Sequence, residues 1–309
     1  MAPLPPPSAA TVAAIYAAYE ADTGSGFREH LGASIIGTEC ERALWYDFRW
    51  ATRATHSGRL LRLFQTGHLA EERFVADLRR IGVTVLEVDP ENGKQWSVRD
   101  DTGHFGGSLD GVLQGMLEAP KAWHVAEFKT HSTKSFEALK TKGVEKSKPM
   151  HWAQMQVYMH MTGIDRALYL AVNKNDDELY QERIHADAAA AMRLIAKAQR
   201  IIAAKRPPGR ISEDPAWWQC RFCNHHAVCH ESATPERHCR SCIYSTPVDA
   251  GRWICGKHMC GISGDGQRVG CVAHLYIPDL VHGEQVDAGE DWIAYRMPDG
   301  GEWRDGVQS

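Results

Sequence analysis

The amino-acid sequence predicts an α/β fold in which helices flank a central mixed sheet. Three observations support this class. Apolar residues recur at helical spacing before residue 82 and again in residues 149–163 and 186–205, whereas several short runs between residues 83 and 130 look like strands. Helices followed by strands, a further helix and a strand pair are the order expected when helices cover a mixed sheet. The 309 residues, 43% of them hydrophobic, suffice for one large core or a core domain with a smaller module.

Three helices are predicted in the first part of the chain. The first covers residues 9–21, and the second follows Gly37 in "ASIIGTECERALWYDFRW". The third lies in "GRLLRLFQTGHLAEERFVADLRRIG" and ends at Gly82, because glycine accepts the left-handed conformation of a helix C-cap.

Strands and further helices follow. The predicted strands are "VTVLEV", "KQWSVRD", "GGSLDGVLQGML" and "AWHVAEFKT", separated by Gly, Asp, Asn and Pro. A helix, "PMHWAQMQVYMHMTG", is bounded by Pro149 and Gly163. A strand pair, "RALYLAVNK" and "ELYQERIH", surrounds the turn "NDDE", and the helix "ADAAAAMRLIAKAQRIIAAK" is stopped by Pro207. The tail "GEDWIAYRMPDGGEWRDGVQS" is predicted as a hairpin that covers the preceding module or binds a partner.

Charge and hydropathy exclude some classes of protein. A formal net charge of −4 excludes an all-over basic coat for nucleic acid, although a local basic cleft is compatible with it. No run of about 18 or more apolar residues occurs, so no membrane span is predicted. The start, "MAPLPPPSAATVAAIYAAYEADTG", has no basic region before an apolar core and is not a signal peptide, so we expect a cytoplasmic protein.

Three charged residues interrupt the apolar strands of residues 106–132. Asp110 lies in "SLDGV", and Glu127 and Lys129 lie in "HVAEFKT". Residues two apart on a strand share a face, so Glu127 and Lys129 point the same way, and a hairpin between the two strands would bring Asp110 to that face. Buried charges of this kind are costly unless they are paired or hold a metal.

Two carboxylates and a lysine suit the hydrolysis of a phosphodiester. Negative charge repels the nucleophile and builds up on the leaving oxygen, and a divalent metal held by carboxylates supplies hydroxide and screens that charge. Mg²⁺ prefers oxygen ligands and keeps several waters for exchange with substrate. A lysine beside the metal can orient the attacking water and stabilise the transition state.

The motifs "GSLDGV", "EFK" and "QMQVY", in this order, resemble those of the PD-(D/E)XK nuclease superfamily, in its RecB-like exonuclease branch. The resemblance covers roughly residues 36–229 and implies a restriction-endonuclease-like core. It implies that Asp110 and Glu127 hold Mg²⁺ or Mn²⁺ and that Lys129 is the catalytic lysine. Leu109 stands where the simplest family motif has proline, a residue that is often absent in this superfamily.

Two helical motifs extend the resemblance. Gln154 and Tyr158 match the Gln-x-x-x-Tyr signature, and their spacing of four places both on one helix face. In that family these side chains line the catalytic site and contact the substrate or the lysine. The family also carries an upstream helical histidine, and "TGHLAEERF" supplies His68, with Glu72 one turn on and Glu71 beside it. The resemblance implies that His68 is a further metal ligand.

The segment "KTHSTKSFEALKTKGVEKSK" holds six lysines and two glutamates. Two interpretations stay open: a solvated mobile loop, or contacts to the DNA backbone that would make binding salt-dependent. The residues directly after the Glu-x-Lys motif are candidates for phosphate contact: His131, Ser132 and Thr133.

Cysteine usage is uneven, because eight of the nine cysteines lie between Cys220 and Cys271. In a cytosolic chain such clustering predicts metal sites rather than disulfides. Cys40 together with Cys220-x2-Cys223-x5-Cys229 resembles the iron–sulfur staple of RecB-like nucleases, such as AddB-type helicase-nucleases and the nucleases of CRISPR adaptation. The resemblance implies a [4Fe-4S] cluster on these four thiolates, with Zn²⁺ as the alternative.

A second cysteine set predicts a zinc site. Cys239-x2-Cys242 is a knuckle, which presents two thiolates to a tetrahedral ion, and Cys255 and Cys271 complete the first choice of four ligands. The fourth ligand stays open, and the alternates are His258, Cys260 and His274. The predicted domains are therefore a RecB-like nuclease domain over residues 1–235 and a Cys/His-rich zinc module over residues 236–309.

The expected function is that of a metal-dependent DNA exonuclease in recombination, repair or phage DNA processing. It would act on single-stranded DNA or duplex ends, alone or with a helicase or a single-strand annealing protein, since the chain has no Gly-x4-Gly-Lys-Ser/Thr motif of its own. One alternative is a non-catalytic DNA-binding protein that docks through its zinc and iron–sulfur modules. Another is an endonuclease of the restriction or junction-resolving kind.

Overall fold

The computed structural model of the protein describes residues 9–22, 24 and 26–306. The proline-rich start and the last three residues of the predicted tail hairpin lie outside the described residues. The helices in the described part are α1 (Ala10–Ala21), α2 (Glu41–Phe48), α3 (Gly58–Arg80), α4 (Thr133–Ser147), α5 (Pro149–Thr162), α6 (Ala188–Ala203), α7 (Trp218–Arg221), α8 (His226–His230) and α9 (Gly264–Arg268). Short 3₁₀ turns cover Ala33–Ile35, Cys239–Ser241 and Pro278–Leu280. None of the described helices is both long enough and apolar enough to span a bilayer.

The strands form one five-stranded sheet and three smaller ones. They are β1 (Leu31–Gly32), β2 (Thr84–Leu86), β3 (Ser97–Arg99), β4 (Phe105–Ser108), β5 (Gly111–Gln114), β6 (His124–His131), β7 (Arg166–Asn173), β8 (Leu179–His185), β9 (Ser245–Val248), β10 (Arg252–Cys255), β11 (Cys260–Ile262), β12 (Glu284–Ala288), β13 (Trp292–Arg296) and β14 (Glu302–Gly306). The central sheet has the order β2-β5-β6-β7-β8. It is mixed, because β6 and β7 run parallel and the other neighbours run antiparallel.

The predicted strand "GGSLDGVLQGML" is wrong as one element, since it forms two strands in different sheets. β4 pairs with β1 and β3, whereas β5 pairs with β2 and β6. The chain changes sheets at Leu109 and Asp110. The Leu109 side chain is buried in the core, and the Asp110 carboxylate accepts a hydrogen bond from the Phe128 backbone N–H of β6. Tertiary contacts on both sides of this short run therefore override its continuous strand pattern.

Helices cover both faces of the central sheet, as the sequence predicts. On one face α3 packs Phe74, Val75 and Leu78 against sheet residues that include Phe128. On the other face α5 packs residues such as Met155 into the larger apolar cluster, together with residues of α2 and α6. Successive β6 residues point to opposite faces, so Glu127 lies on the α5 side of the sheet. The glycine stops of α3 and α5 are confirmed by the positive φ angles of Gly82 and Gly163.

The lysine-rich segment is a helix rather than a loop. In α4 the side chains of Phe136, Leu139 and Val144 are buried, which anchors the helix to the sheet and leaves most of the lysines outside. Gly143 has a positive φ of 70° and kinks the helix, and the next N–H, that of Val144, donates to the Glu182 carboxylate at 2.8 Å. The interpretation as a mobile loop is therefore wrong, and the possibility of DNA contact stays a prediction.

The C-terminal part contains two three-stranded sheets, and the predicted hairpin around "PDGG" is confirmed by the pairing of β13 with β14. Trp253 of β10 and Ile277 belong to the same apolar cluster as Leu44 of α2. The Arg240 guanidinium lies 4.0 Å from the Trp50 ring centroid and donates to the Phe48 carbonyl at 3.0 Å. The boundary between residues 235 and 236 stays a prediction, but side chains from both sides of it share one core.

Candidate active site

The β5–β6 hairpin brings together the three charged residues of the Asp and Glu-x-Lys motifs. Gly111 pairs with Ala126, which places Asp110 beside Glu127 at the start of β5. The Lys129 Nζ atom is 2.5 Å from Glu127 Oε1 and 3.8 Å from Asp110 Oδ2. Asp110 Oδ2 also accepts a hydrogen bond of 2.7 Å from the Phe128 backbone N–H. The predicted convergence of two carboxylates and an amine is therefore confirmed as geometry.

Helix α5 covers this site with two polar side chains, Gln154 and Tyr158. Gln154 Nε2 donates to Glu127 Oε2 at 3.0 Å and lies 3.4 Å from the Tyr158 hydroxyl. Both side chains are buried and lie on one helix face, four residues apart. Gly107 of β4 makes room for Tyr158, because a Cβ atom at residue 107 would lie 2.4 Å from the phenol oxygen. The structure therefore brings Gln154 into contact with Glu127, and Tyr158 into contact with Gln154.

Burial and pairing shift the pKa values of Glu127 and Lys129. Complete burial raises the pKa of Glu127 to about 7, against the opposing effect of the Lys129 charge. Burial by itself lowers the pKa of Lys129, but Glu127 and Asp110 outweigh it and hold this pKa above its usual value. Lys129 therefore carries a charge at neutral pH, whereas Glu127 exchanges its proton near neutral pH.

His68 is not brought into contact with the two carboxylates. Its side chain is 74% exposed, and its Nδ1 atom lies 3.6 Å from Glu71 Oε2. It lines an open cavity together with Thr130 and Lys174. His68 lies in the part of α3 that precedes its buried sheet-packed residues, which begin at Phe74. The role of His68 as a metal ligand stays a prediction.

Glu71 also lies near the site, although it was not among the site residues predicted from the sequence. Burial raises its pKa, and so does the charge of Asp110, while His68 and Lys129 oppose the shift. Helical periodicity could have identified it, because Glu71 precedes the buried Phe74 and Leu78 by three and seven residues and so shares their face. Glu71 therefore adds a third negative charge to the field around Lys129.

The oxygen donors at this site fit a hard divalent cation. Glu127 Oε1 is ion-paired with Lys129 but accepts no well-aligned hydrogen bond, so a lone pair is left for a ligand. Asp110 is only partly buried, with a side chain 17% exposed. Carboxylate oxygens are the donors that Mg²⁺ and Mn²⁺ prefer. Within the described ranges no three His, Cys, Asp or Glu side chains already form a closed ligand set.

Four cysteines line one cavity of about 480 Å³ between α2 and the short helices α7 and α8. They are the predicted iron–sulfur set: Cys40, Cys220, Cys223 and Cys229. Burial raises the pKa of the Cys220 and Cys223 thiols, and neighbouring thiols raise it further. Arg210 donates to the backbone carbonyl of Cys229 at 2.6 Å. Four thiols facing one space from segments about 180 residues apart fit a thiolate-bound metal centre by their donor chemistry.

The second cysteine set lines a separate cavity of about 230 Å³ in the C-terminal part. Its lining includes every predicted ligand and alternate: Cys239, Cys242, Cys255, His258, Cys260, Cys271 and His274. Burial raises the pKa of Cys239 to about 11, with further contributions from the neighbouring thiols. His258 Nε2 lies 3.5 Å from Cys271 Sγ, whereas His274 Nε2 lies 3.1 Å from Ser241 Oγ. The donors suit zinc, and the identity of the fourth ligand stays open.

The His131 side chain is buried, which contradicts a direct phosphate contact by that ring. Its Nε2 atom lies 2.8 Å from the Tyr169 hydroxyl in the interior. Ser132 and Thr133 are exposed at the start of α4, so they stay candidates for phosphate contact.

A lysine held between two carboxylates on a mixed sheet, with a glutamine from a covering helix, is an arrangement that suits the hydrolysis of a phosphodiester. The sequence model of the PD-(D/E)XK nuclease superfamily matches residues 17–230, about two thirds of the chain. The chain belongs to this superfamily. No curated protein matches the chain.

Several solved structures are similar to the chain. LHK-Exo in complex with dAMP is 18% identical, with a TM-score of 0.41, over 62% of this chain and 91% of that chain. The alkaline exonuclease LHK-Exo from Laribacter hongkongensis is 20% identical, with a TM-score of 0.42, over 62% of this chain and 91% of that chain. The protein SSO0001 is 13% identical, with a TM-score of 0.43, over 72% of this chain and 97% of that chain.

Proposed function

We propose that the protein is a metal-dependent DNA exonuclease that hydrolyses phosphodiester bonds. The observation that carries this proposal is the convergence of Asp110, Glu127 and the charged Lys129 in one site. Glu127 is fully buried there, whereas Asp110 and Lys129 are partly exposed. A protein that only binds DNA has no need to bury a lysine between two carboxylates, since such an arrangement costs desolvation energy. The superfamily to which the chain belongs supports the same chemistry.

Asp110 and Glu127 would hold Mg²⁺ or Mn²⁺, and the family resemblance assigns His68 as a further ligand. When bound, such an ion would lower the pKa of a coordinated water and screen the charge of the phosphate. Lys129 donates its N–H groups to the attacking water or to a non-bridging phosphate oxygen and stabilises the negative charge that develops there. Gln154 fixes the orientation of Glu127 through a hydrogen bond of 3.0 Å. The Tyr158 hydroxyl, 3.4 Å from Gln154 Nε2, in turn holds the Gln154 amide in place.

The exonuclease mode and the biological setting rest on the resemblance to RecB-like nucleases. The Gln154 and Tyr158 pair on α5 supports that branch, because Gln154 contacts Glu127 and Tyr158 contacts Gln154. We place the activity in recombination, repair or phage DNA processing. A helicase or a single-strand annealing protein would supply the DNA strand or end.

We further propose two structural metal centres. Cys40, Cys220, Cys223 and Cys229 would bind a [4Fe-4S] cluster, with Zn²⁺ as the alternative, and their common cavity supports this assignment. Closing a loop of about 180 residues with a cluster would restrict the unfolded chain and stabilise the fold. The second cavity would bind Zn²⁺ through Cys239, Cys242 and two further ligands.

The test is a nuclease assay of anaerobically purified protein on end-labelled single- and double-stranded DNA, with and without Mg²⁺ or Mn²⁺. Lys129→Ala should abolish metal-dependent products, and a ladder shortening from one labelled end should show exonuclease action. Lys121→Ala is the matched control, since Lys121 is exposed in the turn before β6 and lies outside the lysine-rich segment. DNA binding without cleavage by the wild-type protein would refute the catalytic proposal, and internal cuts in circular DNA would favour an endonuclease.

Iron and zinc analysis of the same preparation tests the metal centres. A [4Fe-4S] cluster predicts about four irons per chain and a broad visible absorption that Cys40→Ser removes. Zinc in place of iron, with the loss of one zinc in Cys40→Ser, would establish the alternative. Zinc that persists in Cys40→Ser and is lost in Cys242→Ser would assign it to the second cavity.

A further inference from the structure

A series of hydrogen-bonded side chains, here called the Tyr169 network, lies beside the active site and consists of Ser135, His131, Tyr169 and His151. The Tyr169 hydroxyl of β7 lies 2.8 Å from His131 Nε2 and 2.8 Å from His151 Nδ1. The His131 Nδ1 atom in turn lies 3.2 Å from Ser135 Oγ. The three rings stack, with centroids 5.8 to 6.3 Å apart. Among the described residues, the proposed catalytic side chains make no hydrogen bond to the Tyr169 network.

The geometry of β6 and α5 places the Tyr169 network beside the proposed catalytic residues. Alternation along β6 places His131 on the same face as Glu127 and Lys129. Helical spacing along α5 places His151 one turn before Gln154, which itself contacts Glu127. His151 is therefore the next residue along the row of α5 side chains that faces the site.

The free nitrogen of His151 is available to a ligand. His151 is half-buried, and its Nε2 atom has no hydrogen-bond partner among the described residues, whereas Nδ1 is held by Tyr169. Burial, followed by the charge of Lys129, lowers the pKa of His151 to about 3. Burial, followed by the charge of Lys148, lowers the pKa of His131 to about 4. Both rings are therefore neutral at neutral pH in the absence of DNA.

Because both rings are neutral, the direction in which the hydrogen bonds of the Tyr169 network donate decides which nitrogen of His151 carries the hydrogen. A neutral imidazole has one donor nitrogen and one acceptor nitrogen, and the single phenol hydrogen of Tyr169 serves only one of its two neighbours. When Ser135 donates to His131, His131 donates to Tyr169 and Tyr169 donates to His151 Nδ1, the Nε2 atom of His151 carries the hydrogen. Reversal of all these bonds leaves Nε2 as an acceptor, without any net gain or loss of a proton.

We propose that His151 is a DNA-contacting residue of this site, donating from Nε2 to a phosphate oxygen of the strand that lies beside Lys129. Tyr169 and His131 are positioning residues, since they hold the ring and select its donor tautomer without touching DNA. This inference rests on the proposed nuclease function and deepens it. A phosphate oxygen favours the arrangement in which His151 Nε2 carries the hydrogen, because only that arrangement offers the oxygen an N–H group.

The test measures both cleavage and binding. His151→Leu should raise the Kd for single-stranded DNA, measured by fluorescence anisotropy with Ca²⁺ in place of Mg²⁺, by roughly 10- to 100-fold, as expected for a hydrogen bond to a charged group. The KM for cleavage should rise in parallel. His151→Gln, which keeps an N–H donor, should recover part of the loss. Tyr169→Phe should weaken binding by about 3- to 10-fold, because the tautomer is no longer selected.

His160→Leu is the matched control, since His160 lies on the same helix but is exposed. It should leave Kd and KM unchanged. The salt dependence of binding is a second readout, because a neutral donor weakens binding without changing the slope of log Kd against log salt concentration. A slope reduced by about one in His151→Leu would show that the ring binds as a cation and would overturn the neutral-donor proposal.

Wild-type affinity and KM in His151→Leu would also overturn the proposal while leaving the nuclease function intact. A wild-type protein that binds DNA but does not cleave it would instead refute the nuclease function, and the binding arm would still test His151. If His151→Leu lowers the midpoint of thermal unfolding, His151→Gln and Tyr169→Phe decide the question. Wild-type binding by both of those variants would refute the proposal.

Discussion

We expect the contribution of Glu127 to the stability of the metal-free protein to fall as the pH rises from about 4.5 to about 7, because this carboxyl titrates over that interval. Burial raises the pKa of this carboxyl above the ordinary glutamate value of 4.5. Between the two values the native state keeps the proton while the unfolded state has released it. The unfolded state therefore gains stability relative to the native state with each step in pH.

The size of the effect follows from the same pKa values. Each pH unit across the interval changes the free energy of unfolding by about 1.4 kcal/mol, so the whole interval removes about 3 kcal/mol. Below pH 4.5 both states hold the proton, and above pH 7 both have lost it, so the contribution of Glu127 is constant outside the interval. Binding of Mg²⁺ would favour the ionised carboxylate and release a proton near neutral pH.

Urea unfolding followed by circular dichroism, in buffers stripped of Mg²⁺ and Mn²⁺, measures this effect. The free energy of unfolding of the wild type relative to Glu127→Gln should fall by about 2 to 3 kcal/mol between about pH 5 and about pH 7.5. Glu137→Gln is the matched control, since this glutamate is exposed on α4. An equal pH dependence of the wild type and Glu127→Gln would refute the proposed protonation of Glu127.

Three further substitutions test the surroundings of the site and the core. Gln154→Leu removes the amide donor to Glu127, and we expect kcat to fall about 10-fold with little change in KM in steady-state cleavage assays. Gly107→Ala places a Cβ atom 2.4 Å from the Tyr158 hydroxyl, so the phenol must move, and cleavage should fall about 10-fold in the same assay. Arg240→Met leaves the Phe48 carbonyl and other buried acceptors unpaired, and should cost about 3 kcal/mol in urea unfolding.

Each of these substitutions has a control or a contradicting result. An unchanged kcat in Gln154→Leu would show that Glu127 keeps its orientation without the amide. Gly67→Ala is the control for the glycine change, because a Cβ there meets nothing within 4 Å, and it should stabilise α3 by about 1 kcal/mol. Arg59→Met changes an exposed arginine and should leave stability unchanged, so an equal loss in both arginine variants would refute the role of Arg240.

The sequence was sufficient to predict the elements that carry their own periodicity. Alternation along β6 placed Glu127 and Lys129 on one face, and a spacing of four on α5 placed Gln154 and Tyr158 together. These local patterns are independent of the rest of the fold. The convergence with Asp110 required only one assumption, a hairpin between neighbouring strands, which the β5–β6 register confirms.

Features that depend on contacts between distant segments could not be predicted. The switch of sheets at Leu109 depends on β1 and β2, which the strand pattern of residues 105–114 does not encode. The periodicity of α3 places Glu71 on the face of Phe74 and Leu78, but only the packing of that face against the sheet shows that the charge of Lys129 acts on Glu71. The role of the two cysteine sets as metal ligands stays a prediction from the motifs and the family resemblance, and the core shared by α2 and the C-terminal part could not be predicted.

The burial of Arg240 against α2 has a consequence for protein synthesis. Arg240 binds the Phe48 carbonyl, 192 residues earlier in the chain, and the Glu29 carbonyl, 211 residues earlier. A ribosome adding about 5 to 20 residues per second needs roughly 10 to 40 seconds between these two segments. During that time the aromatic side chains around Trp50 lack their partner, so chaperones would meet this surface on the nascent chain. The nuclease core would then be completed only after most of the polypeptide has been made.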